Sequence, residues 1–295
     1  WWESDLQYSL KELRVTGGEA TVSNDFWKLV EWYENNPECD VKLAVNSNLG
    51  VKQDALDRLV KLSHTIKHFD LYTSNESHGV HAEYIRDGLI WDEWLYNLEY
   101  MLEHGNFKML HVMMTINSLC LASLDKFHEE IFRLREKYKH KTYMDMSYNI
   151  LRFPSFQSIT TLPEDIRIER AAHYTAWLAA NRDNMQEHEI DGMSRLISYT
   201  KNITEGHSVK TLSDIETRQN DFHNFYKQYD RRRNKNLTTA FIEWDELLTW
   251  NNSLAGNKND YKIQSPIEAD ATEWGKDIVD SVMSQAIEDK LINGK

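Results

Sequence analysis

Phe107-Lys108-Met109-Leu110-His111-Val112-Met113-Met114-Thr115-Ile116-Asn117 is the clearest apolar run in the chain. Met109, Leu110, Val112, Met113, Met114 and Ile116 are nearly continuous, which predicts a strand covered on both faces, as in a parallel sheet. Outward from this run, shorter ones predict strands near Glu12 to Thr16, Val41 to Asn46, Ile66 to Ser74 and Met144 to Leu151. Helical patterns fill the intervals. Phe26, Leu29, Val30 and Tyr33 recur at i, i+3, i+4 and i+7 behind Ser23, a suitable N-cap. Trp91, Trp94, Leu95, Leu98 and Leu102 repeat the pattern, and these aromatic stripes are read as core. Strand and helix alternate five times, so the expected fold class is α/β, as part of a (β/α) barrel.

After Ser158 the strand signal fades. Leu162-Pro163-Glu164 reads as a helix start, Ile190 to Lys201 as a second helix, and Phe222, Phe225, Tyr226 and Tyr229 as a third stripe. A polar tract from Asn251 to Thr272 precedes a final helical pattern near Trp274 to Leu291. The expected organisation is a partial barrel over 1–158, a mainly helical region over 159–250, and a polar linker with a terminal helix over 251–295.

Composition narrows the function classes. The 295 residues carry 34 Lys+Arg against 47 Asp+Glu, a formal charge of −13, with 41% hydrophobic and 12% aromatic residues. The apolar content excludes a disordered acidic tail. The charge argues against duplex nucleic acid as a partner, because phosphate binding needs a basic face. The one short basic run, Arg231-Arg232-Arg233, reads as a solvated helix end. No apolar stretch is long enough for a membrane span, and residues 1–5 lack the features of a signal peptide. Cys39 and Cys120, the only cysteines, give neither a disulfide framework nor a zinc spacing. A cytoplasmic location is expected. His64 and His68 have an i, i+4 spacing, but a strand starting at Ile66 would destroy their shared helical face.

The chemistry is most legible at Leu13-Arg14-Val15-Thr16-Gly17-Gly18-Glu19. A short strand ends in two glycines and a carboxylate, so backbone can approach a ligand closely and Glu19 offers an acceptor to a cation. In parallel α/β folds, ligands bind at that C-terminal end. Alone, the tripeptide also suits a tight turn with a solvated carboxylate. The other strand ends add small polar groups: Asn46-Ser47-Asn48-Leu49-Gly50, Thr73-Ser74-Asn75-Glu76-Ser77, Thr115-Ile116-Asn117-Ser118 and Ser147-Tyr148-Asn149, followed by Arg152. Such hydroxyls and amides can bond a ribose, a carboxylate and an adenine without adding fixed charge.

These motifs together resemble the radical S-adenosylmethionine (SAM) enzymes, most closely their twitch-domain branch. Thr16-Gly17-Gly18-Glu19 resembles the family's Gly-Gly-Glu motif, which implies that Glu19 and the glycine backbone hold the amino group of SAM. Ser47-Asn48-Leu49-Gly50 sits where the family often has Thr-Asn-Gly. Ser74-Asn75-Glu76 resembles the ribose-contacting strand end, and His81 to Gly88, with Arg86, resembles the His-Asp-x-x-Arg-Gly element. Thr115 and Asn117 match the Asn-bearing strand, and Asn149 is expected near the ligand. The resemblance covers roughly residues 10–158, with a looser likeness beyond. It implies SAM as cofactor and, as partners, a peptide or small-molecule substrate and an electron donor. The reaction it implies is reductive SAM cleavage followed by hydrogen abstraction.

The chain departs from the family in lacking Cys-x-x-x-Cys-x-x-Cys, which binds the [4Fe-4S] cluster. A cluster needs thiolate ligands, and Cys39 and Cys120 cannot supply that spacing. The cluster is therefore expected only in a full-length protein, and this chain, which begins without Met, is read as a truncated piece. On that reading Trp1 and Trp2 close a lost βα unit, and the first strand edge is open. The other reading is a cluster-less SAM-binding or scaffold protein on the same barrel. No auxiliary cluster is expected either, because no cysteine follows Cys120.

Overall fold

The computed structural model describes residues 2–201 and 212–256. Trp1, the final helix expected near Trp274 to Leu291 and most of the polar tract before it lie outside the described residues. Five strands form one fully parallel sheet in the order β1-β2-β3-β4-β5: β1 (Glu12–Val15), β2 (Lys42–Asn46), β3 (Phe69–Ser74), β4 (Met109–Ile116) and β5 (Tyr143–Ile150). Sequential order with crossovers of one hand places the connecting helices on one face, the arrangement of a barrel arc rather than a doubly wound sheet. The chain is thus α/β, an open partial (β/α) barrel.

Four long crossover helices follow the sheet: α2 (Asn24–Asn35), α3 (Gln53–Thr65), α5 (Trp91–His104) and α6 (Leu124–Tyr138). Two short helices, α1 (Gln7–Ser9) and α4 (Gly79–Ile85), precede β1 and α5 respectively. Ser23 caps α2 as expected, its hydroxyl accepting from the Phe26 amide at 3.4 Å. Beyond the sheet, the described residues contain no strand. They form α7 (Glu164–Asn181), α8 (Glu187–Lys201), α9 (Leu212–Arg233), α10 (Leu237–Ala240) and α11 (Asp245–Ser253). Arg231 to Arg233 close α9, and Arg233 reaches Asp87 at 2.8 Å. Trp2 packs edge-on against Trp32, with ring centroids 5.1 Å apart, and so rests on α2.

The crossover helices cover one face of the sheet and the opposite face is buried only in part, at Ala44, Asp70, Tyr72 and Asp145, which corrects the two-sided burial expected for β4. Leu110, Val112, Met114 and Ile116 are fully buried under the helices, whereas Met109, His111, Met113 and Thr115 alternate with them on a half-open face. The thioethers of Met109 and Met113 make the run read as continuously apolar, although an adaptable methionine also suits a partly exposed surface. The register extends the division across the sheet: Leu43, Phe69, Leu71, Met144 and Met146 join the covered face. Each such buried side chain contributes about 1.5–3 kcal/mol by leaving water.

The two edges are treated differently. Among the described residues β1 has no strand beyond it. The β5 edge is sealed by α8: buried Glu189 accepts from the Met146 amide at 2.9 Å, and Gln186 Nε2 donates to the Met144 carbonyl at 3.3 Å. Those groups would otherwise invite another strand. Gly192 allows the close approach, since a Cβ there would lie 2.4 Å from the Tyr148 ring. Strand β3 begins at Phe69 instead of Ile66, because the Ile66 amide still donates to Leu62 O and completes α3. His64 therefore sits in the last turn of α3, its Nε2 at 2.8 Å from His104 O.

Candidate functional site

The C-terminal ends of the strands carry two separate polar clusters. At the first, the chain leaves β1 through Thr16, Gly17 and Gly18, all exposed. Gly17 and Gly18 have φ of +92° and +30°, and nothing lies within 4 Å of a Cβ built on either. Backbone conformation, not space, demands glycine here, and the backbone stays open to approach. Glu19 then caps a 3-10 turn over Ala20–Val22. Its Oε1 accepts from the Thr21 amide (3.2 Å), the Thr21 hydroxyl (2.8 Å) and the Ser47 hydroxyl (3.0 Å), and its Oε2 accepts from the Asn48 amide at 2.7 Å. One half-buried carboxylate thus ties the β1 loop to the β2 loop through neutral donors.

The β2 loop is held tightly. Ser47 Oγ accepts from the Leu49 amide (3.1 Å), Asn48 Oδ1 accepts from the Gly50 amide (2.8 Å), and buried Asn97 donates to Leu49 O at 2.6 Å. These bonds fix buried Leu49 at φ +57°, a left-handed conformation that non-glycine residues rarely adopt.

The second cluster lies beyond β3 and β4. Buried Glu76 receives both nitrogens of the Arg86 fork, Nε at 2.9 Å and Nη2 at 2.6 Å, together with the Thr115 amide at 3.2 Å. Asn75 Oδ1 accepts from the Glu76 and Ser77 amides, while its buried Nδ2 has no partner. Asn117 Oδ1 accepts from the amides of Leu119 and Cys120, and the Asn117 amide donates to Cys120 Sγ at 3.3 Å. Burial pushes the Cys120 thiol far above its ordinary pKa.

The sequence-expected residues therefore fall into three groups. Thr16 to Glu19 with Ser47 and Asn48 form one unit, and Asn75, Glu76, Arg86, Thr115 and Asn117 form another. Ser74 and Asn149 stand apart at the ends of β3 and β5; Ser74 is half-buried and Asn149 exposed. Asn149 also lines an open cleft of about 940 Å³ with Arg152, His188, Asp191 and Arg195, between β5 and α8.

Sequence reasoning missed the open face between these ends. Lys42 bridges Glu12 (2.6 Å) and Asp70 (2.9 Å), and Arg14 Nη2 donates to the Tyr72 hydroxyl at 2.8 Å. His111 Nδ1 bonds Asp145, and its Nε2 lies 2.8 Å from Ser147 Oγ. The signal was a polar residue at every second position, as in Asp70-x-Tyr72-x-Ser74 and Tyr143-x-Asp145-x-Ser147-x-Asn149.

The groups implied by the family resemblance fit unequally. For SAM, the strand ends supply uncommitted groups: the open Gly17-Gly18 backbone, the Oε2 lone pair that Glu19 keeps beyond its one bond, and the side chains of Ser74, Thr115 and Asn149. For an iron-sulfur cluster the residues do not fit. Cys120 is buried, Cys39 half-buried, and the described residues contain no group of three His, Cys, Asp or Glu able to hold a metal ion. No described helix is long and apolar enough to cross a membrane.

No protein-family model matches the sequence. No curated protein matches it. Among solved structures, the chain is similar to Streptococcus suis SuiB bound to S-adenosylmethionine and to the same protein described without it. Each has a TM-score of 0.40 and 15% identity over 58% of this chain and 37% of SuiB. It is also similar to a domain of pyruvate-formate lyase-activating enzyme from Bacteroides vulgatus, with a TM-score of 0.38 and 12% identity over 56% of this chain and 93% of that domain. The chain thus spans 37% of the length of SuiB.

Proposed function

We propose that this chain is the SAM-binding arc of a radical SAM-type protein. The observation that carries the reading is the Gly17-Gly18-Glu19 turn at the C-terminal end of β1, whose carboxylate is held between two strand-end loops. Four donors, the amides of Thr21 and Asn48 and the hydroxyls of Thr21 and Ser47, leave the Glu19 carboxyl bonded only to neutral groups beside the open Gly17-Gly18 backbone, which suits the ammonium group of a bound amino acid moiety. Ser47 and Asn48 act by holding that carboxylate, while Ser74, Thr115 and Asn149 offer hydrogen bonds to the ribose and adenine. Glu76 and Arg86 shape the β3 and β4 loops from behind, because they are committed to each other, and Asn117 shapes them through its Oδ1, which accepts from the Leu119 and Cys120 amides.

In the enzymes that the motifs resemble, SAM is the source of the hydrogen-abstracting group, an electron donor feeds the reaction, and the substrate is a peptide or a small molecule. The enzyme reading extends those partners to this protein. The two cysteines cannot hold the cluster that reductive cleavage needs, so no step of that chemistry is assigned to this chain's residues. The same observation favours a second reading, a SAM-binding or scaffold protein without cleavage. Both readings require SAM to bind.

Titration calorimetry with SAM tests this. Saturable binding is expected, and Glu19→Gln should weaken it by roughly 1.5–3 kcal/mol, the worth of a charged hydrogen bond. Absence of binding, or an unchanged affinity in a folded Glu19→Gln variant, would overturn the assignment.

A further inference from the structure

The open face holds a constellation outside the strand-end site. Asp145, His111 and Ser147 lie on two adjacent strands, with Asp145 paired to His111 in register and Ser147 two residues further along β5 on the same face. The hydrogen bonds run in one order: Asp145 Oδ1 to His111 Nδ1, then His111 Nε2 to Ser147 Oγ at 2.8 Å. A carboxylate only accepts, so Nδ1 carries the proton, Nε2 is the acceptor and the serine hydroxyl donates to it. We propose that Ser147 is a nucleophile activated by His111, with Asp145 as the positioning residue, able to transfer the acyl group of an ester to water.

Three features favour chemistry over internal satisfaction. Ser147 is half-buried on the face opposite the crossover helices, so the residue keeps some exposure to solvent. The strand ladder fixes all three residues, which supplies the preorganisation that a weak nucleophile needs. A spare donor faces the same region: the Asn46 amide reaches across the open face to Met113 Sδ at 3.9 Å, a weak acceptor, and Met113 is the register partner of Ser147. Around the histidine stand the Tyr72 ring, 5.2 Å away, and His188 from α8, which approaches the second oxygen of Asp145 at 3.4 Å.

The reaction balances on these residues and water. Ser147 Oγ bonds to the ester carbonyl carbon as its proton passes to His111 Nε2, and the carbonyl π pair moves to oxygen. Collapse breaks the bond to the alcohol oxygen, which takes the proton from His111. Water then repeats the sequence: its proton goes to His111, its oxygen bonds to the acyl carbon, and Ser147 departs with the proton, leaving a carboxylic acid.

The test uses the whole chain without SAM, so its result is independent of the SAM reading. A fluorophosphonate probe should form one adduct, mapped by peptide mass spectrometry to Ser147. His111→Gln should slow labelling by about a hundredfold, within the range of a general base. Asp145→Asn should alter the pH profile of labelling, a readout that a merely structural role would not move. Circular dichroism melts of each variant show whether it is folded. No adduct at Ser147 on the folded wild-type chain, or an unchanged rate in folded His111→Gln, would overturn the proposal.

Discussion

Leu110, Val112, Met114 and Ile116 on one face of β4 are fully buried, while His111 and Thr115, one position away, are half-buried and exposed respectively. The covered face commits its few polar groups: Trp94 Nε1 donates to Thr73 Oγ1 at 3.2 Å, and His128 joins Tyr148 at 2.5 Å and the Leu124 carbonyl. The open face instead carries Glu12, Arg14, Lys42, Tyr72, His111 and Ser147. The covered face supplies stability; the open face pairs its polar side chains with one another, and the strand ends keep groups free for ligands. The difference also separates two carboxylates. Glu76 is buried and neutralised by Arg86, whereas Glu19 is half-buried and bonded only to neutral donors.

The largest effect should come from breaking the committed pair. Arg86→Met leaves Glu76 as a buried, uncompensated charge, and urea denaturation should show a loss of roughly 3–5 kcal/mol, largely recovered in the Glu76→Gln, Arg86→Met double variant. If Arg86→Met were neutral, Glu76 would have to be free for another partner. Next, Leu110→Ala should cost about 2–5 kcal/mol through the cavity it opens. Thr115→Ala, on the open face, should stay within about 0.5 kcal/mol. Equal effects would erase the distinction between the faces.

The covered face should also be pH-sensitive through His128, whose pKa burial depresses to about 4. In the unfolded chain an ordinary histidine binds its proton near pH 6.5, so between those values the unfolded state binds more protons and stability falls as pH falls. The window from about pH 6.5 down to 4 should lose roughly 3 kcal/mol, and His128→Gln should flatten that slope. Gly17→Ala should cost only about 1 kcal/mol, because its cost is the positive φ alone. A larger loss would mean that the turn is packed, contrary to the open space around it.

The strands were legible because β-branched and apolar runs at intervals suited to βα units leave little choice. Their C-terminal loops were legible for the same reason, together with Gly17-Gly18-Glu19. The pairing of Glu76 with Arg86 was not, since sequence distinguishes no carboxylate that meets a ribose from one that meets a guanidinium ten residues on. Nor was the open face. Its period-two polarity was masked by Met109 and Met113, which read as core, and by Ser147, His111 and Asp145, which come together only once β4 and β5 are in register. The α8 seal on β5 needed the fold as well, because Glu189 looks like a surface residue until its helix lies along the edge.

Hydrogen exchange with and without saturating SAM tests the central claim most directly, that the strand ends are the ligand side of the sheet. The account predicts SAM-dependent protection in peptides covering residues 16–20, 46–50 and 74–77, with the amides of α2, α3, α5 and α6 unchanged. Protection confined to the helices, or to the cleft between β5 and α8 with none at residues 16–20, would contradict it.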